Sequence, residues 1–244
     1  VAVLCASHTV AREMRNGTVL LLLSKPVYRW TFILGKITGI GAAVTLFTLL
    51  CNLATITSVF IATDQFRFDM TIFFSYYGVL IAICAVGMIF NFWRGSSFPE
   101  ISTYAATLLI PIITAVCILT QERPTVSLTD LSYALVLLNF AVIAMSTISV
   151  VFATRLDIVA NLSLCTTVFF LGLVSSYLFQ RQTDSELLNA LFQFCYAVLP
   201  NWQYFWLADA VAVNRPIPDS YVINAAIYMV IYVSVCSMWA VAIF

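Results

Sequence analysis

The sequence predicts an all-α integral membrane protein, a polytopic bundle of helices that cross a lipid bilayer. Of its 244 residues, 62% are hydrophobic and only 9% are charged, whereas a soluble globular domain has about 25% charged residues. The apolar residues form long runs separated by polar connections. A folded surface of this composition has too few polar groups to meet water on all sides, and a membrane removes that requirement.

Six apolar stretches are long enough to span a bilayer, because a spanning helix needs about 20 mostly apolar residues. They cover roughly residues 31–62, 71–92, 101–120, 131–153, 158–179 and 221–244. Residues 1–7 resemble the end of a further span. The chain begins at Val1 within an apolar stretch and stops at Phe244 directly after one. We therefore expect residues 1–244 to be one transmembrane domain, truncated at both ends.

The lysine and arginine positions predict which side of the membrane each connection faces. If residues 8–30 are cytoplasmic and each span crosses once, seven basic residues face the cytoplasm and four face the opposite side. The seven are Arg12, Arg15, Lys25, Arg29, Lys36, Arg94 and Arg155, and the four are Arg67, Arg123, Arg181 and Arg215. Residues 180–220 then form an extracytoplasmic loop, in which aromatic residues and Pro200 predict two short helices that do not cross the membrane.

Patterns typical of catalysis, metal binding and nucleotide binding are absent from the sequence. His8 is the only histidine, and the seven cysteines stand singly without a C-x-x-C pair, so no zinc site is indicated. A phosphate-binding loop is excluded because Lys36 is followed by isoleucine and Trp30 stands where the upstream glycine is required. Eleven basic residues balance eleven acidic ones, which gives no indication of nucleic-acid binding. We expect no enzymatic activity, metal or cofactor in this chain.

The more polar residues within the spans are three asparagines, Asn52, Asn91 and Asn139. Amide side chains in a membrane commonly form hydrogen bonds between helices. We therefore expect helix–helix contacts at these positions, with contact to a transported substrate as the alternative.

Residues 10–30 combine a polar face with a sharp turn. The polar face consists of Arg12, Glu13, Arg15 and Asn16, which fall at helical spacing. The following apolar run, residues 19–23, is too short to cross a membrane, and Pro26 ends any helix near Lys25. These features predict an amphipathic helix along the cytoplasmic face, followed by a turn into the bilayer. A simple interfacial connector is the alternative.

This segment resembles the cytoplasmic loop of type-2 ABC transporter permeases, the membrane subunits of bacterial exporters. The resemblance covers residues 12–39, and a looser similarity includes Leu199-Pro200. The matching motifs are Glu13-Met-Arg-Asn-Gly17-Thr18, Leu22-Leu23-Ser24-Lys25-Pro26-Val27, Arg29-Trp30 and Leu34-Gly35-Lys36. In that family, the loop forms a coupling helix that docks on a separate ATP-binding subunit.

The resemblance implies a permease subunit that moves an unknown substrate, driven by ATP and Mg²⁺ bound in the partner. It implies a second permease subunit, as a homodimer or heterodimer, and a multi-pass location in the bacterial inner membrane, in contact with lipid. The implied coupling residues are Arg12, Glu13, Arg15, Asn16, Gly17 and Thr18, and the implied membrane-interface turn is Lys25, Pro26, Arg29, Trp30 and Lys36.

The span number departs from the family, whose members usually have six spans. With its truncated spans restored, this protein would have eight, and the stretches 71–92 and 101–120 resemble an added pair. The alternatives to transport are a non-transporting assembly or structural subunit, and a membrane-embedded enzyme. The enzyme would need ionisable residues that converge at membrane depth, and the sequence contains no such set.

Overall fold

A computed structural model describes residues 1–11, 28–64, 67–120, 127–179 and 186–243. It confirms an all-α membrane protein, because six helices within these ranges are long and apolar enough to cross a bilayer. The shortest has 22 residues, or about 33 Å at a rise of 1.5 Å per residue. Of the predicted cytoplasmic coupling loop, residues 8–30, residues 12–27 lie outside the described residues.

The six long helices reproduce the predicted spans to within a few residues at each end. They are α2 (Arg29–Ile61), α3 (Met70–Arg94), α4 (Phe98–Thr120), α5 (Leu128–Ala153), α6 (Ile158–Phe179) and α9 (Asp219–Ile243). The chain starts with α1 (Ala2–Ala6), which continues as a π-helical turn (Ser7–Ala11). A short antiparallel ribbon of β1 (Ala62–Asp64) and β2 (Arg67–Phe68) links α2 to α3.

Residues 186–218 contain three short elements between α6 and α9. They are α7 (Glu186–Val198), a 3₁₀ turn (Trp202–Phe205) and α8 (Ala208–Ala212). None is long enough to cross a bilayer, because even the 13 residues of α7 extend only about 20 Å.

Local chemistry explains where several helices begin and bend. Asp69 caps α3, since its carboxylate accepts hydrogen bonds from the backbone N–H groups of Thr71 at 2.8 Å and Ile72 at 3.3 Å. Gly95 ends α3 in the left-handed conformation, with φ of 66°, which a glycine adopts without steric cost. Pro111 lies within α4, and a membrane helix tolerates it where neighbouring groups satisfy the freed carbonyl.

The described chain divides into two compact units. The first contains Val1–Thr45 and Ser132–Phe244, and the second contains Leu46–Leu131. In the first unit, α5 is the central helix, and residues 146–151 are buried on every side. Its apolar core joins Ile33 and Ile37 of α2 to Leu137 and Ile148 of α5. A helix that is buried on every side by other helices is expected at the centre of a bundle.

The second unit contains the pair of spans that the family resemblance identifies as additional. Helices α3 and α4 pack closely, because a Cβ atom on Gly87 would overlap Ser102 and lie 2.9 Å from the Phe98 ring. The Thr57 and Thr114 hydroxyls meet at 2.9 Å in a buried hydrogen bond between α2 and α4. Small and hydroxyl side chains allow such contacts between membrane helices.

Candidate functional site

The first unit has one end that flanks the predicted coupling loop. Most residues predicted to contact the ATP-binding subunit or to form the turn lie outside the described residues. They are Arg12, Glu13, Arg15, Asn16, Gly17, Thr18, Lys25 and Pro26. Arg29, Trp30 and Lys36 are described, and they occupy the first two turns of α2. The structure therefore describes both flanks of the loop, residues 1–11 and 28–36.

The flank that follows the loop suits a membrane interface. Trp30 is 53% exposed, as expected of an indole at the boundary between lipid and water. The Lys36 ammonium lies 5.7 Å from the centroid of the Phe32 ring, so it makes a cation–π contact one turn away on the same helix. A lysine near the end of a span can extend its charged end to the interface.

The flank that precedes the loop is held by a buried polar cluster around Asn161 at the start of α6. The Asn161 Nδ2 group donates to the Ser7 hydroxyl at 2.7 Å and to the Ser149 carbonyl at 3.2 Å. The Cys165 thiol donates to Asn161 Oδ1 at 3.2 Å. All four residues have no exposed surface. We call these four residues the anchor cluster. Their hydrogen bonds to one another stabilise the fold, because a buried polar group without a partner costs about 1–3 kcal/mol.

The anchor cluster connects the chain before the loop to the α5–α6 junction. Asn161 lies in the first turn of α6, and its backbone N–H bonds to the Asp157 carbonyl at 2.8 Å. Ser149 lies in the last turns of α5. From the same junction, Arg155 donates to the Ile243 carbonyl at the end of α9. This end of the first unit thus brings together the π-helical turn, the α5–α6 junction and the end of α9.

The start of α2 lies at the same end of the unit. A cavity of about 590 Å³ is lined by Cys5 and Thr9 on one side and by Phe32 and Lys36 on the other. A second cavity, of about 560 Å³, is lined by Trp30 on one side and by the last turns of α9 on the other. Both flanks of the coupling loop are therefore adjacent to the helix ends that the anchor cluster connects.

At the opposite end of the first unit, the chain between α7 and α8 inserts between α6 and α9. We call residues 199–206 the inserted segment. The Asn201 side chain donates to Ser176 Oγ at 3.0 Å and Tyr196 Oη at 3.2 Å, and accepts from the Gln203 backbone N–H at 3.1 Å. Gln203 Nε2 in turn donates to the Leu173 carbonyl at 2.9 Å. Non-helical backbone at membrane depth is tolerated when protein surrounds it in this way.

Gly172 of α6 permits the inserted segment to approach. A Cβ atom at this position would overlap the Pro200 carbonyl oxygen and lie 2.5 Å from the Trp202 ring. Pro200 and Trp202 are both buried. Gly172 lies seven residues before the end of α6 at Phe179, which corresponds to about 10 Å along the helix. The inserted segment therefore reaches well past the end of the span.

We expect Gly172→Ala to displace the inserted segment and to lower the stability of the purified protein. Overpacking of this kind costs about 1–3 kcal/mol, and backbone atoms of Pro200 have little freedom to move aside. The measurement is the thermal unfolding midpoint in lipid nanodiscs. Gly41→Ala in α2 is the matched control, since a Cβ there meets nothing within 4 Å. Equal midpoints for the two variants would contradict the close packing.

Two of the three asparagines predicted to join helices instead use their Nδ2 groups for local hydrogen bonds. Asn91 Nδ2 donates to the Ser96 carbonyl just beyond its own helix, and Asn139 Nδ2 donates to Leu135 within α5. The inter-helix amide contacts described above are made by Asn161 and Asn201 instead. Asn161 was overlooked because an amide in the first turn of a span resembles an ordinary interfacial residue. Its spacing of four from Cys165, on one face of the helix, was the available signal.

Metal ligands do not converge in the described part of the chain, where no three His, Cys, Asp or Glu side chains lie close enough to hold an ion. The geometry instead connects a loop flank to α5 and α6 by neutral hydrogen bonds, and Arg155 connects the junction of these helices to the end of α9. Such an arrangement can transmit movement and has no reactive group at its centre.

Comparison with known proteins identifies the family. A family model described as ABC-2 family transporter protein matches residues 1–210, a range that includes the coupling-loop motif and five of the six long helices. No curated protein and no solved structure matches the chain. The match confirms the resemblance found in the sequence. The chain belongs to the ABC-2 family of transporter proteins, and it is a membrane permease component of an ABC transporter.

Proposed function

We propose that this chain is the membrane-spanning subunit of a transporter driven by ATP hydrolysis in a separate ATP-binding subunit. That partner docks on the cytoplasmic loop at residues 12–18 and holds the ATP and Mg²⁺. The observation that supports this most strongly is the hydrogen bond from Asn161 to Ser7. It links the chain leading into the loop directly to the core of the helix bundle.

The anchor cluster provides a mechanical route from the loop to the bundle. When two ATP-binding subunits close on ATP, a docked loop is displaced with them, and Ser7 pulls on Asn161 at the α5–α6 junction. Arg155 joins this junction to the end of α9. Packed helices respond to such a displacement by moving as rigid bodies between discrete arrangements. The π-helical turn at Ser7–Ala11 lies where the force enters, and π-helical turns are frequent at functional sites.

The proposed orientation places residues 8–30 in the cytoplasm and residues 180–220 on the opposite side of the bacterial inner membrane. Seven basic residues on the cytoplasmic side against four on the other side support this assignment.

A second permease subunit completes the transporter. Helix α2 carries a G-x-x-x-G pattern, Gly35 and Gly39, in which both glycines are exposed and a Cβ would meet nothing within 4 Å. Close helix–helix contacts between membrane subunits commonly use this pattern.

Site-specific photo-crosslinking in native membranes tests the docking and the orientation together. A photoreactive amino acid in place of Asn16 is expected to form an adduct with the ATP-binding subunit. The same residue in place of Ser185 serves as the control and is expected to form none. An adduct from position 185 would reverse the proposed orientation, and the absence of any adduct from position 16 would refute docking at this loop.

A further inference from the structure

Two cavities of different character adjoin each other on one side of α9, both within the first unit. The first, of about 440 Å³, is lined mainly by tyrosines and asparagines. These are Tyr196, Asn201, Tyr204, Tyr221, Asn224 and Tyr228. The second, of about 680 Å³, is lined almost entirely by apolar side chains of α5, α6, α7 and α9. Ala197 and Tyr228 line both cavities, so the two lie side by side.

The apolar cavity is a groove that is open along one side. Its lip consists of side chains that remain exposed, Phe194 at 66%, Val235 at 59% and Trp239 at 52%. Its lining on α9 extends from Tyr228 to Trp239, which is about 16 Å along the helix axis. A volume in this range, bounded by apolar walls, suits an extended hydrocarbon chain better than a polar solute.

The polar cavity has hydrogen-bonding capacity that the described protein does not use. Asn224 lines it from the second turn of α9 and is exposed there, so its amide is accessible to a ligand. The Tyr228 hydroxyl accepts from the Asn201 backbone N–H at 3.2 Å, which leaves its own proton available to a ligand. Tyr204 and Tyr228 pack with ring centroids 5.8 Å apart and contribute aromatic surface.

Neither cavity is lined by a charged side chain in the described part of the chain. A phosphate would therefore lack a cation, and recognition there depends on neutral hydrogen bonds and on aromatic faces. A ring that carries several hydroxyl groups meets both requirements, because its O–H groups bond to amides and phenols while its C–H faces stack on tyrosine. A sugar is the common chemical group of this kind.

We propose that the two adjacent cavities together bind a lipid with an uncharged glycosyl headgroup. The acyl chain lies in the groove beside Val235, and the sugar occupies the polar cavity at Asn224 and Tyr228. This inference rests on the proposed function and deepens it, since such a lipid is then the class of transported substrate. The polar cavity lies towards the start of α9 and the groove runs along its second half, so we expect the ligand to reach the site from the bilayer.

Photolabelling of the full-length protein in nanodiscs tests the proposal. Three probes share one acyl chain with a diazirine and differ only in the headgroup, which is monoglucosyl, phosphatidylcholine or phosphatidylglycerol. We expect the glucosyl probe to label residues 194–199 and 228–239 about fivefold more than either other probe, as one or two additional neutral hydrogen bonds would produce. We also expect it to stimulate ATP hydrolysis by the complete complex.

Two variants separate recognition from nonspecific contact with lipid. Val235→Trp fills the groove and is expected to abolish labelling, whereas Val230→Trp should leave it unchanged. Val230 is the matched control because it lies on the same helix, is 56% exposed and does not line the groove. Asn224→Leu is expected to remove the preference for the glucosyl probe while labelling by the other two continues.

Three results would overturn the proposal. Equal labelling by the three probes would mean that the groove holds bulk lipid only. Labelling that survives Val235→Trp would place the lipid elsewhere, and an absence of labelling would mean that another protein surface covers the groove. The labelling requires no ATP-binding subunit, whereas the crosslink from position 16 requires no lipid ligand. Failure of one experiment is thus distinguishable from failure of the other.

Discussion

Replacing Asn161 by leucine is expected to leave the ATP-binding subunit bound to the permease. It is also expected to remove most of the effect that the permease has on the rate of ATP hydrolysis. The substitution deletes the bonds to Ser7 and Ser149 and leaves buried partners unsatisfied, at a cost of about 1–3 kcal/mol. By coupling we mean the change in hydrolysis rate that the permease causes. If the lost energy stabilises one arrangement of the bundle over the other, we expect the coupling to fall about tenfold, since 1.4 kcal/mol corresponds to a factor of ten. The measurement is ATP hydrolysis by the complex relative to the isolated ATP-binding subunit.

Asn139→Leu is the matched control for this prediction. Asn139 is a buried amide in the same unit, but its Nδ2 group bonds within its own helix. We expect a smaller loss of stability from that variant, because its buried Oδ1 atom has no hydrogen-bond partner among the described residues, and an unchanged coupling. Ser7→Ala provides a milder test, because it removes only the hydroxyl that accepts from Asn161 at 2.7 Å. Full coupling in both Asn161→Leu and Ser7→Ala would contradict the proposed route through the anchor cluster.

Reversal of the charge at residue 13 is expected to weaken docking of the ATP-binding subunit. Glu13 is the only acidic residue between positions 8 and 30, so Glu13→Lys removes the one negative charge that can meet a basic group of the partner. Breaking such a pair costs about 2–5 kcal/mol if the pair is buried in the interface and far less at a solvated rim. We expect a lower yield of complex, or uncoupled hydrolysis, with normal insertion into the membrane.

Two further variants test whether a lower yield of complex arises from this loop. Met14→Pro breaks any helix at the same place and is expected to have at least as large an effect, because proline costs about 3 kcal/mol within a helix. Lys36→Gln, at the membrane interface, is expected to leave the yield unchanged. If Glu13→Lys and Met14→Pro both give native yield and native hydrolysis, residues 12–18 are a simple interfacial connector.

The spans were predictable because the thickness of the bilayer fixes their length. Each of the six needs about 20 apolar residues, and residues such as Asp69 and Gly95 limit the helices where polarity and backbone conformation require it. The position of the inserted segment was not predictable in the same way. It depends on the missing side chain at Gly172 and on hydrogen bonds from Asn201, both of which are contacts between distant parts of the sequence.

The candidate site was only partly accessible from the sequence. The loop at residues 12–18 was identified through resemblance to a family, and the physical pattern alone also allowed a connector. The anchor cluster was not predicted, because Ser7 and Asn161 are 154 positions apart and no local pattern relates them. The two cavities beside α9 likewise arise from packing. The tyrosines of α9, at positions 221, 228 and 232 among mostly apolar residues, gave no indication that Tyr228 would line both.

In the proposed function, this chain transports a substrate with energy supplied by a separate ATP-binding subunit. Its most direct test is purification of the full-length, affinity-tagged protein from native membranes in mild detergent, followed by identification of every chain recovered in stoichiometric amount. The proposed function predicts one ATP-binding subunit for each permease subunit, with ATP hydrolysis in the recovered complex. Recovery of the folded, membrane-inserted chain without any ATP-binding subunit would contradict it.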